Sequence, residues 1–277
     1  MSVRPLIIAG MARSGTTMLQ QLCEAHNQMH VTNELGNYAF VGDSFPKYAA
    51  RIAARIQKIS GKWRIVGKAQ GGMPTKLSNE LRRRAENHVA NAGAAAGHLA
   101  RLARHWPRRV TLSALTTEAV RDDAQIRVIG DKLPLYTFMM DRFVDLPELR
   151  RLVIYRDCRD VTSSFLRKVR TDWRGQDWTR HADTAEKIAR RWVRAIEVME
   201  SHASCLQIIR YEELVSDPPS GLRRLAEWLE VDSSGFDVDM VRDSSVGKYK
   251  QGLTAAEVEV VMGVAGTTLE RLGYPLE

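Results

Sequence analysis

The feature that most constrains this 277-residue chain is a glycine turn set directly behind a short apolar run. Val3-Arg4-Pro5-Leu6-Ile7-Ile8-Ala9 has the composition of a buried strand. It runs into Gly10-Met11-Ala12-Arg13-Ser14-Gly15-Thr16-Thr17, after which Met18, Leu19 and Leu22 recur at helical spacing. A strand that turns sharply into a helix leaves backbone N–H groups without partners, and with the helix dipole these form a cradle for an oxyanion. Gly10 and Gly15 stand at the spacing of a P-loop, with Thr17 at its final hydroxyl position. Thr16 takes the place of the lysine that would neutralise a terminal phosphate, and a cation, Arg13, sits three positions earlier. The cradle therefore suits an anion near the first phosphate of a nucleotide and argues against an ordinary ATPase. The plainer alternative is a tight strand-to-helix turn with no ligand.

Further short apolar runs follow. Residues 125–129 lead into Gly130-Asp131-Lys132-Leu133-Pro134 and a helix to about Phe143. Residues 152–155 pass through Arg156-Asp157-Cys158-Arg159-Asp160 into a helix from Val161, and residues 206–209 precede a helix over 219–229. Four strands alternating with amphipathic helices predict an α/β fold of P-loop type, three layers deep, with a mostly parallel central sheet. With no repeat or low-complexity linker, residues 1–277 read as a single domain. An Ala- and Arg-rich stretch over about 45–105 reads as a mainly helical insertion, either a set of solvated basic faces or a lobe over the ligand edge. It holds Arg51, Arg55, Lys58, Arg82, Arg83, Arg84, Arg101 and Arg104. In the polar segment 171–181, Trp173 and Trp178 are either substrate contacts or anchors.

Lys+Arg 41 against Asp+Glu 33 leaves a net charge of +8, which suits an anionic ligand, polymer or surface. A nucleic-acid or polyanion binder would interleave its basic residues with aromatics. Aromatics are 7% of this chain and few in the basic stretch. The three cysteines, Cys23, Cys158 and Cys205, show neither a disulfide framework nor metal spacing, so a reducing, cytoplasmic setting is expected. No apolar run approaches the ~18 residues of a membrane span, and the N-terminal one is too short for a secretory signal. The Ala/Arg-rich composition suggests a bacterial source.

Gly10 to Thr17 resembles the 5′-phosphosulfate loop of the sulfotransferases that use 3′-phosphoadenosine-5′-phosphosulfate (PAPS). The run Val153-Ile154-Tyr155-Arg156-Asp157-Cys158-Arg159-Asp160-Val161-Thr162-Ser163-Ser164-Phe165 resembles the family's second signature. There an Arg after the strand and a Ser eight positions later hold the 3′-phosphate, the spacing of Arg156 and Ser164. Cys158 stands where the family usually has Pro or a small residue. Arg210-Tyr211-Glu212-Glu213-Leu214 resembles the segment whose Tyr lies near the adenine, and Asp131-Lys132-Leu133-Pro134 a segment of the bacterial and tyrosylprotein branches. Asp243 to Tyr249 resembles a C-terminal loop that closes over the phosphates, bringing Ser245 and Lys248. Between about 45 and 120 the resemblance rests on no motif that can be named.

The resemblance, closest in motif to the tyrosylprotein/carbohydrate branch, implies transfer of a sulfuryl group from PAPS to an acceptor hydroxyl. The acceptor would be a sugar, lipid-linked glycan, small metabolite or phenol; PAP would be the product, and no metal would be required. It implies donor binding by Arg13, Ser14, Gly15, Thr16, Thr17, Arg156, Ser164, Tyr211, Ser245 and Lys248. The expected partners are this donor and the acceptor, with no nucleic acid and no membrane span. Glu34, in Val31-Thr32-Asn33-Glu34, is the candidate base, because a Glu at a similar remove from the loop Arg serves in the tyrosylprotein branch. His30 is the alternative base, as cytosolic members use a His. Lys132 and Arg13 are the candidate cations at the sulfuryl group and bridging oxygen.

An Arg at the C-terminal end of a strand also offers phosphate a forked donor on chemical grounds alone. Competing assignments stay open: Arg156 paired with Asp157 or Asp160, Glu34 as a cap or surface pair, Lys132 as a solvated residue. Two other functions do too: a P-loop kinase or nucleotide phosphotransferase, which would need Lys at position 16, and a polyanion-binding protein without catalysis.

Overall fold

The computed structural model describes residues 3–68, 93, 96–97, 99–100, 102–104, 107–120 and 125–276. Its five-stranded sheet comprises β1 (Arg4–Ala9), β2 (Met29–Asn33), β3 (Val128–Lys132), β4 (Arg150–Tyr155) and β5 (Gln207–Arg210). The strands lie in the order β2-β3-β1-β4-β5, and every neighbouring pair is parallel. Leu6 and Ile8 of β1 enter one apolar cluster while Ile7 and Ala9 enter the other; Leu152 and Ile154 divide from Val153 on β4 in the same way. Because side chains alternate across a strand, burial of both faces demands an unbroken apolar run.

One face is covered by α1 (Thr16–Ala25), which supplies Leu19 and Leu22. Two later helices join it, α6 (Tyr211–Ser216) with Leu214 and α7 (Pro218–Leu229) with Leu225 and Leu229. The opposite cluster takes Tyr48 and Ile52 from α2 (Phe45–Lys68) and Leu115 from α3 (Leu112–Val120). It also takes Val161 and Phe165 from α4 (Cys158–Arg170) and Trp192 from α5 (Ala185–Ser201). After α8 (Tyr249–Gly252), the long α9 (Ala255–Arg271) completes this layer through Val261 and Leu269. The result is the expected three-layer α/β architecture. The chain leaves β1 for the outer strand β2, returns to β3, and crosses to β4 on the far side of β1. That reversal opens a crevice at the C-terminal strand ends, where open α/β sheets bind ligands.

Two elements differ from the sequence reading. β2 is a fifth strand that the pattern does not announce, since Met29-His30-Val31-Thr32-Asn33 mixes polar and apolar residues, as an edge strand can. β3 runs over 128–132 instead of 125–129, so Asp131 and Lys132 lie inside the sheet. Gly130 reads as a turn glycine, yet it stands mid-strand because a Cβ there would meet the Leu6 carbonyl oxygen at 2.7 Å. Beyond Leu133 the chain forms a 3₁₀ helix, Pro134–Arg142, in place of an α-helix.

Of the expected insertion over 45–105, α2 is described to Lys68, whereas residues 69–92, with Arg82, Arg83 and Arg84, and Arg101 lie outside the described residues. In the 171–181 segment Trp173 packs edge-on against Phe165 at 5.2 Å and Trp178 at 4.9 Å, the arrangement of an anchor. Among the described residues, no helix is long and apolar enough to cross a membrane.

Candidate active site

The glycine turn needs its glycines. A Cβ at Gly10 would stand 2.3 Å from the Ile154 carbonyl oxygen, and one at Gly15 would meet the Tyr211 ring at 2.7 Å. Gly15 holds φ 98° at the start of α1, and Arg13 adopts φ 79°, a left-handed conformation uncommon outside glycine. Ser14 is fully buried and lines a small cavity behind the turn with Gly10, Thr137 and Trp192. Its hydroxyl has no hydrogen-bond partner among the described residues, and its N–H donates to the Met11 carbonyl at 3.1 Å. Thr16 is buried; Thr17 faces outward.

Lys132 reaches this turn from the end of β3. Its side chain is 1% exposed, and its amine donates to Thr17 Oγ1 at 3.3 Å and Glu34 Oε1 at 2.9 Å. The reading of Lys132 as a solvated surface residue is thereby corrected: the strand, longer than expected, carries it into the interior. Position 16 lacks the P-loop lysine, yet an ammonium from a neighbouring strand arrives one residue away.

Glu34 follows β2 with φ 60°, and its N–H donates to the Lys132 carbonyl at 2.6 Å. It caps no helix, and its half-exposed carboxylate is paired with a buried amine. Two groups brace its turn. Arg55 Nε donates to the Glu34 carbonyl at 2.9 Å. On the inner side, the buried Asp131 carboxylate accepts from the Leu35 and Gly36 N–H groups at 3.0 and 2.8 Å. It also accepts from Thr32 Oγ1 and the Tyr136 hydroxyl, both at 2.6 Å. Burial pushes the Asp131 carboxyl upward in pKa, and these donors oppose that rise. His30 lies within β2, short of its C-terminal end, against Glu24 at 3.1 Å.

Arg13 Nε donates to Ser164 Oγ at 3.0 Å, joining the glycine turn to α4. Arg156 is buried beneath it with its guanidinium 4.6 Å from the Tyr211 ring centre. One Nη pairs with Asp160 at 3.1 Å and donates to the Ser245 carbonyl; Nε has no hydrogen-bond partner among the described residues. Of the two carboxylates near in sequence, Asp160 is thus the partner of Arg156, and Asp157 pairs with Arg159 at 2.7 Å while capping α4. Asp160 also accepts from the Gly247 and Tyr249 N–H groups, each at 2.9 Å, fastening the 243–249 segment over Arg156. The Tyr211 hydroxyl donates to the Arg242 carbonyl at 3.3 Å. Ser245 is half-buried, and Lys248 is exposed at the head of α8. Cys158 is fully buried, and burial drives its thiol pKa far upward, so it acts as core packing.

Two linked groups therefore stand on the glycine turn: Lys132 joins Thr17 to Glu34, and Arg13 meets Ser164 with Arg156 and Tyr211 beside it. Sequence reasoning missed Asp131 as the brace of the Glu34 turn, and it named Asp160 only as one of two partners for Arg156. Their signals were slight: one directly precedes the lysine, and the other is four residues beyond the arginine.

The sequence matches the model of the sulfotransferase family over residues 5–235. No curated protein sequence matches it. Its fold is similar to that of the sulfotransferase domain from the curacin biosynthetic pathway. They share 15% identity over 100% of this chain and 99% of that one, with a TM-score of 0.59. Sulfotransferase STF9 from Mycobacterium avium is 16% identical over 99% of this chain and 78% of that one, with a TM-score of 0.51. A sulfotransferase from Alicyclobacillus acidocaldarius is 14% identical over 98% and 95%, with a TM-score of 0.52. The family match takes in the glycine turn, the segment from Arg156 to Ser164, Glu34 and Lys132. The chain belongs to the sulfotransferase family.

Proposed function

We propose that the protein moves a sulfuryl group from PAPS to an acceptor hydroxyl by metal-free in-line displacement. The observation that carries this reading is the contact between Lys132 and Glu34, 2.9 Å apart beside the glycine turn. It puts an acid–base group and a cation together where the anion cradle opens.

The residues present fit an anionic nucleotide. The turn offers the N–H groups at the start of α1, and Arg156 keeps a buried Nε without a hydrogen-bond partner among the described residues. In this reading Arg13, Gly15, Thr16 and Thr17 hold the 5′-phosphosulfate, and Ser14 shapes the turn through its N–H bond to Met11. Arg156 and Ser164 hold the 3′-phosphate, Tyr211 stands beside the adenine, and Ser245 and Lys248 close over the phosphates. When bound, PAPS supplies a sulfuryl group on a phosphate leaving group.

Glu34 orients the acceptor hydroxyl and takes its proton as the new O–S bond forms and the S–O bond to phosphate breaks. Lys132 meets the negative charge on the sulfuryl and bridging oxygens, with Arg13 alongside. A donor so placed is typically worth about 2.7–4 kcal/mol of transition-state stabilisation. Before substrate arrives, the Lys132 ammonium pairs with the Glu34 carboxylate; when Lys132 turns to the transferring group, that carboxylate is left to meet the acceptor hydroxyl. The acceptor is a sugar, a lipid-linked glycan, a small metabolite or a phenol. The chain acts as one domain over residues 1–277, in a bacterial cytoplasm.

Calorimetric titration with PAP in the absence of metal tests this, with magnesium-ATP and Arg156→Ala as comparisons. PAP at 100 times its Kd should add about 2.7 kcal/mol of stability, and Arg156→Ala should abolish the effect. Binding of magnesium-ATP without binding of PAP would overturn the proposal in favour of a phosphotransferase.

A further inference from the structure

We propose that Asp131 is a positioning residue for the base, its buried carboxylate holding the Glu34-Leu35-Gly36 turn so that Glu34 reaches Lys132. This rests on the assignment of Glu34 as base. Asp131 is 0% exposed, and both of its oxygens are used. Oδ1 accepts from Thr32 Oγ1 and the Leu35 N–H; Oδ2 accepts from the Gly36 N–H and the Tyr136 hydroxyl. A buried carboxylate is costly unless its lone pairs are satisfied, so these bonds hold strongly to their geometry.

The turn needs such a hold. Glu34 and Gly36 have φ 60° and 75°, and the first is a left-handed conformation that an ordinary side chain disfavours. Two successive N–H groups of the turn point at one carboxylate, which fixes where the chain leaves β2. The Tyr136 hydroxyl extends the network by accepting from the Tyr38 N–H at 3.3 Å. Asp131 and Lys132 are adjacent at the end of β3. One strand end thus supplies the cation directly and sets the base through its neighbour. The pairing distance of Glu34 and Lys132 is a property of β3 more than of the turn that carries Glu34.

A carboxylate that only stabilised the fold would look similar, so the test compares two variants. Asp131→Asn keeps the shape but cannot accept at both oxygens. Thr32→Val removes one donor to the same carboxylate and leaves the turn's N–H bonds intact. Release of PAP from PAPS is followed with 2-naphthol as acceptor and with water, beside PAP affinity and melting temperature. The expected result is a kcat loss of about 10²-fold for Asp131→Asn, as small misplacements of catalytic groups produce. PAP affinity should be unchanged, and Thr32→Val should keep near-native kcat.

Near-native kcat in Asp131→Asn, or losses in both variants that track their melting temperatures, would overturn the proposal. Hydrogen exchange of the native chain decides independently of whether Asp131→Asn folds. The Leu35 and Gly36 amides should be as protected as those of β1, and free exchange there would refute the clamp. A native chain that binds PAP yet releases none from PAPS would overturn the assignment of Glu34 as base, and this proposal with it. Protected amides with an unaffected kcat would overturn the positioning role alone.

Discussion

The Lys132 amine lies 2.9 Å from the Glu34 carboxylate although 98 residues separate them in the chain. Parallel pairing of β2 with β3 brings this about, since Asn33 and Lys132 are register partners at the strands' ends. The lysine is almost wholly buried and the glutamate half-exposed, so the cation is fixed from within while the carboxylate faces solvent.

Lys132→Met should therefore lower kcat by about 10²–10³-fold, the scale found when a donor to a transition-state oxyanion is removed. Methionine keeps much of the buried side-chain volume, and the half-exposed Glu34 can be solvated without its partner. The melting temperature should hold within a few degrees while PAP formation from PAPS collapses, which a thermal melt and a coupled PAP assay check together. A parallel loss of both would make Lys132 a structural residue.

Glu34→Gln removes the proton acceptor and keeps the shape of the turn. We expect kcat to fall by about 10²–10⁴-fold, with PAP affinity unchanged by calorimetry. His30→Gln should leave kcat near the native value, because His30 lies back along β2 against Glu24. The opposite ranking of these two variants would reassign the base.

Asp160 fastens the 243–249 segment through two N–H groups and neutralises Arg156 from the buried side. Breaking a buried pair by removing one partner typically costs about 3–5 kcal/mol. Asp160→Asn, which keeps one acceptor oxygen, should cost less than Asp160→Ala. Both should raise hydrogen exchange over 243–249 and weaken PAP binding together. A loosened segment with unchanged PAP affinity would separate this loop from the donor site.

Gly15→Ala places a methyl group against the Tyr211 ring at a φ of 98°. The strain should lower stability by about 1–3 kcal/mol and displace the ring. PAP affinity should fall further than stability alone predicts, measured at a temperature where the variant is fully folded.

Sequence by itself determined the parts of this protein that are local or demanded on both sides of the sheet. β1 and β4 are legible as apolar runs because strands buried on both faces tolerate few polar residues. The glycine turn is legible because its two glycines answer close approaches that admit no Cβ. Glu34, Lys132, Arg13, Arg156 and Ser164 could be singled out from motif and spacing, each with a structural alternative standing beside it.

Tertiary structure decided what depends on partners remote in the chain. It drew β2 into the sheet, a strand whose edge position leaves it a mixed composition. It placed Gly130 mid-strand against Leu6, a constraint visible only when β1 is beside it. It gave Arg156 to Asp160 and Asp157 to Arg159, although both carboxylates are near Arg156 in the chain. It also revealed Asp131 and Asp160 as the groups that hold the Glu34 turn and the 243–249 segment. The physical reason is common to all of these: a buried charge is settled by which partners surround it in space, and those partners come from strands and loops remote in sequence.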